Sequence, residues 1–127
     1  MDQSIAIGST ITAGIQNTVQ LGYGSSAAST GAIAIGTGAK CGTSAASNII
    51  MIGSNAGSAF MTQQNLTGIG NNVLSSNVLG EKMVAIGDNA HASNTIGYDN
   101  IAIGYNVLHL ITDSISNTVI GRSAFVS

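Results

Sequence analysis

A four-residue phrase recurs along nearly the whole chain: an aliphatic residue, any residue, a second aliphatic residue and a glycine, with threonine at the first place twice. Ile5-Ala6-Ile7-Gly8 and Ile101-Ala102-Ile103-Gly104 are clear copies. The repeat glycines are Gly8, Gly22, Gly36, Gly53, Gly70, Gly87, Gly104 and Gly121. Their separations are 14, 14, 17, 17, 17, 17 and 17 residues. A fixed period this short predicts a solenoid, in which each repeat is one structural unit stacked on the next.

Each copy of the phrase predicts one short β-strand that ends at a bend. The alternation of aliphatic and variable residues has the two-residue period of a strand, and glycine tolerates the positive φ that a sharp bend needs. A repeat of 14 residues is long enough for two strands of about four or five residues and two corners. The sequence therefore predicts an all-β protein, a parallel β-roll of about eight coils that forms one domain over residues 1–127.

The repeat length changes once along the chain. Repeats are 14 residues long up to about residue 36 and 17 residues long thereafter, so we expect the added residues to lengthen one connection in each coil. Thr95-Ile96-Gly97 lies inside such a connection, where it is either an incidental copy of the phrase or an extra strand. An asparagine two residues after a glycine suits a turn or a stacked asparagine ladder. These asparagines are Asn55, Asn72, Asn89 and Asn106.

Two further columns of residues predict which side chains point inward. The residue three places after each glycine is small or β-branched, as an inward position requires, and the column runs Ile11, Ser25, Ala39, Ala56, Val73, Ala90, Val107 and Ala124. The residue between the two aliphatic positions is uncharged and mostly very small, yet alternation places it on the opposite face of the strand from the aliphatic pair.

A strand that is apolar on both faces is buried on both sides, and one coil is too thin to bury both by itself. We therefore expect the aliphatic pairs to fill the coil interior and another subunit to cover the small residues between them. The predicted subunit-contact face comprises Ala6, Ala34, Gly68, Ala85 and Ala102.

Composition argues against several classes of function. Only 6% of residues are charged, against about a quarter in an average protein, and the formal net charge of -2 leaves no basic stripe for nucleic acid. The longest apolar runs, such as residues 49–52, are far shorter than the roughly 18 residues of a membrane-spanning helix, and no signal peptide is visible. Residues 22–27 and 36–40 loosely match phosphate-binding loops but lack the helix that such loops need.

Catalysis and metal binding are not expected either. Five carboxylates and two histidines in 127 residues are too few to indicate a site, and no cofactor is predicted. Alternation sends His91 and His109 to different faces, and each is predicted to be solvated or at a corner rather than a metal ligand. Cys41 is alone in the chain and is predicted to be a small apolar filler. The remaining enzymatic alternative is polysaccharide cleavage by a carboxylate pair across a subunit boundary, for example Asp88 with Asp99.

Several of these repeats resemble a known family. Ser4-Ile5-Ala6-Ile7-Gly8, residues 31–39 and Asn100-Ile101-Ala102-Ile103-Gly104 are similar to the head repeats of trimeric autotransporter adhesins of the YadA type. Similar repeats occur in the fibres and spikes of tailed bacteriophages. The resemblance covers nearly the whole chain, and it implies a left-handed parallel β-roll, three chains wound into one homotrimer, and a role in attachment at a surface.

The other domains of these adhesins help to choose between a virion and a bacterial cell surface as the place where the chain acts. The adhesins carry a signal peptide, a coiled-coil stalk and a membrane β-barrel, none of which this sequence shows, and their head repeat has 14 rather than 17 residues. The favoured interpretation is a non-catalytic structural and attachment module of a virion fibre, spike or capsid surface, with the head of a bacterial cell-surface adhesin as the alternative. An ice-binding solenoid is less favoured, because the residues after the glycines do not form a regular threonine array.

The sequence also suggests partners for such a module. No polar capping unit is visible at either end of the repeats, so we expect both ends of the trimer to dock onto other virion or fibre proteins. Tyr23 and Tyr105 directly follow repeat glycines, and Tyr98 follows Gly97. These three rings are candidates for exposed contacts with a glycan or protein receptor on a host surface.

Overall fold

The structure, a computed structural model, describes residues 3–11, 16–43, 45–59, 62 and 64–126. These residues form a parallel β-solenoid without a helix, and its strands lie in one sheet in chain order. The strands are β1 (Ile5–Ile7), β2 (Val19–Leu21), β3 (Ile33–Ile35), β4 (Ser47–Ile52), β5 (Gln64–Ile69), β6 (Met83–Ile86), β7 (Ile101–Ile103) and β8 (Thr118–Ile120). Pairing follows the repeat, since Ile5 pairs with Val19 and Ile33 pairs with Ile50. The predicted all-β parallel roll is confirmed.

Each strand ends at a repeat glycine, because the chain bends there through a backbone conformation that favours glycine. At all eight of them φ lies between 125° and 145°, a region that L-residues with a side chain rarely adopt. A Cβ at Gly53 would also collide with the carbonyl oxygen of Gly70 in the next repeat. Successive repeats therefore bring their backbones into close contact at this bend, where a side chain has no room.

A second corner follows two residues after the glycine. The φ angles at this corner lie between 52° and 56°, the left-handed conformation that asparagine tolerates, at Asn55, Asn72, Asn89 and Asn106. The side-chain amide of Asn89 also donates to Oδ1 of Asn106 at 3.0 Å. The turn is thus confirmed at all four asparagines, and this pair adds a ladder contact between repeats.

The longer repeats contain one more left-handed corner than the shorter ones. Leu74, His91 and Leu108, each four residues after a repeat glycine, have φ of 49°, 52° and 49°. At the equivalent positions after Gly22 and Gly36, Ser26 and Lys40 form an isolated parallel bridge instead, and the 17-residue repeat after Gly36 has its added corner at Gly42, with φ of 56°. The added residues therefore lengthen one connection, as predicted, and the strands stay in register.

The second strand that was predicted for each coil does not form in the part of the chain that the structure describes. Turns and bends connect the strands there, and two isolated bridges join Ser26 to Lys40 and Tyr98 to Ile115. Gly97 lies beside the second bridge and is not part of a strand. The connections still bond from repeat to repeat, since the Leu74 N–H donates to the Ala90 carbonyl oxygen at 3.2 Å, but left-handed corners interrupt the extended backbone that a strand needs.

The solenoid interior is narrow, and small side chains fill most of it. The column three places after the glycine is buried in six of its positions, as predicted, with Ile11 and Ala124 half-buried at the two ends. Where the interior has more room, large and small residues alternate: a Cβ at Gly68 would lie 2.6 Å from Sδ of Met51. The methionine therefore occupies the volume that the glycine leaves open.

Candidate assembly surface

The structure reverses the predicted orientation of the strand side chains. Ala34, Ala85 and Ala102 are fully buried inside the solenoid, and Gly68 is buried with them. The predicted subunit-contact face is therefore wrong at these four positions, and only Ala6, in β1, is exposed. The reason is the width of the interior, which mostly admits small residues behind the strand, so that the bulky aliphatic residues of each phrase point outward.

The outward-pointing residues form a continuous apolar surface along the sheet, which we call the strand face. It consists of Ile5, Ile7, Val19, Leu21, Ile33, Ile35, Ile50, Ile52, Thr67, Ile69, Val84, Ile86, Ile101, Ile103, Thr118 and Ile120. Parallel register stacks them in two rows, one on each side of the buried middle residues. None of them is buried by the chain itself: Ile69 exposes 37% and Ile101 39% of its surface, and Ile7 and Ile120 in the edge strands expose 66% and 68%.

The strand face is uncharged as well as apolar. No Asp, Glu, Lys or Arg occurs within β1 to β8. The charged residues that the structure describes lie in the corners and connections: Lys40, Glu81, Lys82, Asp88, Asp99, Asp113 and Arg122. A contiguous apolar surface of this extent is uncommon on a monomeric protein, which makes the strand face a candidate interaction site.

The three tyrosines are exposed, but they do not form one site. Tyr23 and Tyr105 occupy the same corner five repeats apart, about 24 Å along the stack at the spacing of paired strands. Tyr98 lies in a different connection. The Arg122 guanidinium lies 5.7 Å from the centroid of the Tyr105 ring, which is a cation–π contact between neighbouring repeats.

His91 is the main departure from expectation inside the solenoid. It lies at a corner, which is one of the two predicted alternatives, but its side chain is fully buried and not solvated. Its Nε2 lies 3.2 Å from Oγ of Ser114, and its Nδ1 has no hydrogen-bond partner. Burial lowers the pKa of His91 to about 4, because the charged imidazolium is disfavoured away from water. His109 is half-buried, with Nδ1 3.3 Å from the carbonyl oxygen of Asn89, so the two histidines share no site.

A buried polar ladder beside His91 was missed by the sequence analysis. The side-chain amide of Asn94 donates to Oδ1 of Asn77 in the preceding repeat at 2.9 Å. Each of these asparagines also accepts, at 3.0 Å, from the backbone N–H of the glycine three residues later, Gly80 or Gly97. The available signal was the pattern Asn-x-x-Gly, whose copies at Asn77 and Asn94 are 17 residues apart.

Cys41 is a core residue, as predicted. Its thiol is buried among small apolar residues and donates to the carbonyl oxygen of Ile33 at 3.0 Å. Burial raises the pKa of Cys41 to about 12, so the reactive thiolate is scarce at neutral pH. The residue therefore fills space rather than providing chemistry.

The described residues bring no group of three His, Cys, Asp or Glu side chains together at a point where a metal ion would fit. Within residues 3–126, apart from the few positions that are not described, no helix is long and apolar enough to cross a bilayer. Asp88 and Asp99 are both exposed, and Oδ1 of Asp88 accepts from the backbone N–H of Asn71 at 3.0 Å. The chain matches no protein-family model, no curated protein and no solved structure.

Proposed function

We propose that the chain is a non-catalytic structural and attachment module, which assembles through its strand face into a homotrimeric rod of a virion fibre, spike or capsid surface. The uncovered strand face carries this proposal, because it is uncharged and leaves aliphatic side chains in water along the entire sheet. Removing such surface from water is the dominant favourable term in most protein association.

Other copies of this chain fit the strand face better than an unrelated partner. The two rows of side chains repeat at the spacing of paired strands, about 4.8 Å, so eight strands give a face about 34 Å long. A partner that contacts every strand must rise by the same distance per repeat. Another copy of the same solenoid meets that condition along its whole length. The number of three copies, and the place in a virion, rest on the resemblance to YadA-type heads and phage fibres.

The corners are the part of the rod proposed to contact other molecules. They carry mostly neutral polar side chains, a few charged ones and the exposed rings of Tyr23, Tyr98 and Tyr105, none of which belongs to the strand face. These rings would stay accessible to a host-surface glycan or protein after the strand faces have packed together. In the described sheet β1 and β8 each pair on one side only, which leaves strand edges for other fibre proteins to extend.

The mass of the purified assembly tests the proposal. We expect sedimentation velocity and native mass spectrometry to find three copies per particle at micromolar concentration. A monomer that stays soluble and folded under these conditions would contradict the proposed assembly. Immunogold labelling with antibodies against the chain tests the setting, because label on virion fibres supports the favoured role and label on a bacterial envelope supports the adhesin alternative.

A further inference from the structure

One side chain breaks an otherwise apolar column in the three repeats that follow Gly70, Gly87 and Gly104. The residue four places after the glycine is Leu74 in one repeat, His91 in the next and Leu108 in the one after that, and all three are fully buried. Leucine therefore fits this buried position in the repeats before and after the one that contains His91. The imidazole adds two polar nitrogens to a place where its neighbours need none.

The surroundings of His91 provide for a neutral ring and not for a charged one. Its Nε2 has a partner in Oγ of Ser114, and the Ser114 carbonyl oxygen already accepts from Nδ2 of Asn100 at 2.6 Å. Nδ1 faces no acceptor, although a protonated ring would need one there. A buried cation without a second acceptor and without a counter-charge is strongly disfavoured.

No ion pair compensates for a charge on His91. The ionisable groups in the repeats around it are Glu81, Lys82, Asp88, Asp99, His109, Asp113 and Arg122. In the part of the chain that the structure describes, the ion pair found joins Glu81 to Lys82 at 3.7 Å and does not involve His91. The Asp88, Asp99 and Asp113 side chains are exposed, and His109 contacts the Asn89 carbonyl oxygen.

From these contacts we infer that His91 is an acid-sensitive switch in the solenoid: protonation of its ring opens the repeats between about residue 83 and residue 114 and leaves the N-terminal repeats folded. The opening is local because each repeat of a solenoid contacts only its neighbours. The N-terminal core, with Ala27, Ala32, Ala39 and Cys41, contains no group that gains a proton in mild acid.

The sign of the effect follows from the pKa of His91, which is about 4 in the fold and about 6.5 when exposed. The folded form holds fewer protons than the opened form, so stability is full above pH 6.5 and declines as pH falls towards 4. At pH 5 the equilibrium constant for opening is expected to be about 30-fold higher than at pH 8.

Hydrogen exchange at pH 8 and pH 5, corrected for intrinsic exchange rates, tests this inference on the purified assembly. Protection factors of amides in residues 83–114 should fall about 30-fold at pH 5, and those in residues 19–41 should not change. His91→Leu, which restores the residue of the neighbouring repeats, should abolish the fall. His109→Ser, which introduces the residue found at the equivalent position 75, is the matched control and should retain it.

Three results would overturn the inference: an equal loss of protection in His91→Leu, a loss that spreads evenly over the N-terminal repeats, or a loss that disappears in His109→Ser. An NMR titration of the imidazole C–H signals in the wild-type chain gives an answer that depends on no variant. A His91 ring that titrates near pH 6.5 while the chain stays folded would also refute it.

Discussion

Placing a carboxylate in the middle of the strand face tests whether that surface is what holds copies of the chain together. Ile69 in β5 is the best position, because it is central in the sheet and still exposes 37% of its surface. Since the side chain is outside the solenoid core, Ile69→Asp should leave the fold of each chain intact. Its effect should therefore appear in assembly and not in secondary structure.

The expected magnitude follows from the surface that remains to be buried. Complete burial of an isoleucine contributes up to about 3 kcal/mol, so the exposed 37% of Ile69 corresponds to about 1 kcal/mol for each copy. Three copies give about 3 kcal/mol for a trimer, which is a loss of about 100-fold in the association constant. The buried carboxylates add a desolvation cost of several kcal/mol per ion. We therefore expect Ile69→Asp to be monomeric at micromolar concentration.

Sedimentation velocity over a range of concentrations measures this effect, with circular dichroism as the check on folding. Leu79→Asp is the matched control: Leu79 exposes 55% of its surface, more than Ile69, but lies in a connection outside the strand face. The control should assemble like the wild-type chain. The reasoning is refuted if Ile69→Asp assembles with unchanged affinity, or if Leu79→Asp dissociates the particle to the same extent.

Three further predictions concern the interior and the bends. Gly53→Ala should lower the free energy of unfolding by about 3 kcal/mol or more, because the added Cβ meets a carbonyl group of the next repeat. The control Gly31→Ala should cost about 1–2 kcal/mol, because Gly31 has a φ of 74° but open space around it. Equal midpoints of the two variants in chemical denaturation would contradict this. Asn94→Ala leaves a buried glycine N–H without its acceptor and should cost about 1–3 kcal/mol, while a change within about 0.5 kcal/mol is expected for the exposed Asn71→Ala. The Cys41 thiol, with its pKa raised to about 12, should react with an aromatic disulfide reagent at pH 8 only after unfolding in guanidinium; rapid reaction of the folded chain would show that the thiol is accessible.

The positions of the strands could be predicted from the sequence because a local pattern determines them. All eight strands contain the aliphatic phrase, and the register follows from the spacing of the glycines that end it. The side of the strand that faces inward could not be predicted in the same way, because alternation defines two faces without saying which is the interior. The distance to the opposite wall decides this, and it depends on corners such as Leu74 and Leu108, whose left-handed backbone has no simple sequence signal.

His91 and the buried asparagines were harder to place for a different reason. A histidine in a polar stretch is compatible with a corner or a core position, and only comparison with the same column in neighbouring repeats, Leu74 and Leu108, indicates burial. Asn77 and Asn94 occur in connections where exposed polar residues are expected. Each is buried because its side-chain oxygen accepts a hydrogen bond from the backbone N–H of the glycine three residues later. The sequence indicates this contact only when successive repeats are aligned at their 17-residue spacing.

The change in repeat length between β3 and β4 shows that the connections of this solenoid can vary in length while its strands keep their register. Ile33 still pairs with Ile50 across the junction, so three inserted residues do not displace the aliphatic rows. The insertion is absorbed in the connections, where the longer repeats gain a corner. A solenoid of this design can thus acquire longer or chemically different loops, and with them new recognition properties, without altering the surface along which its copies would meet.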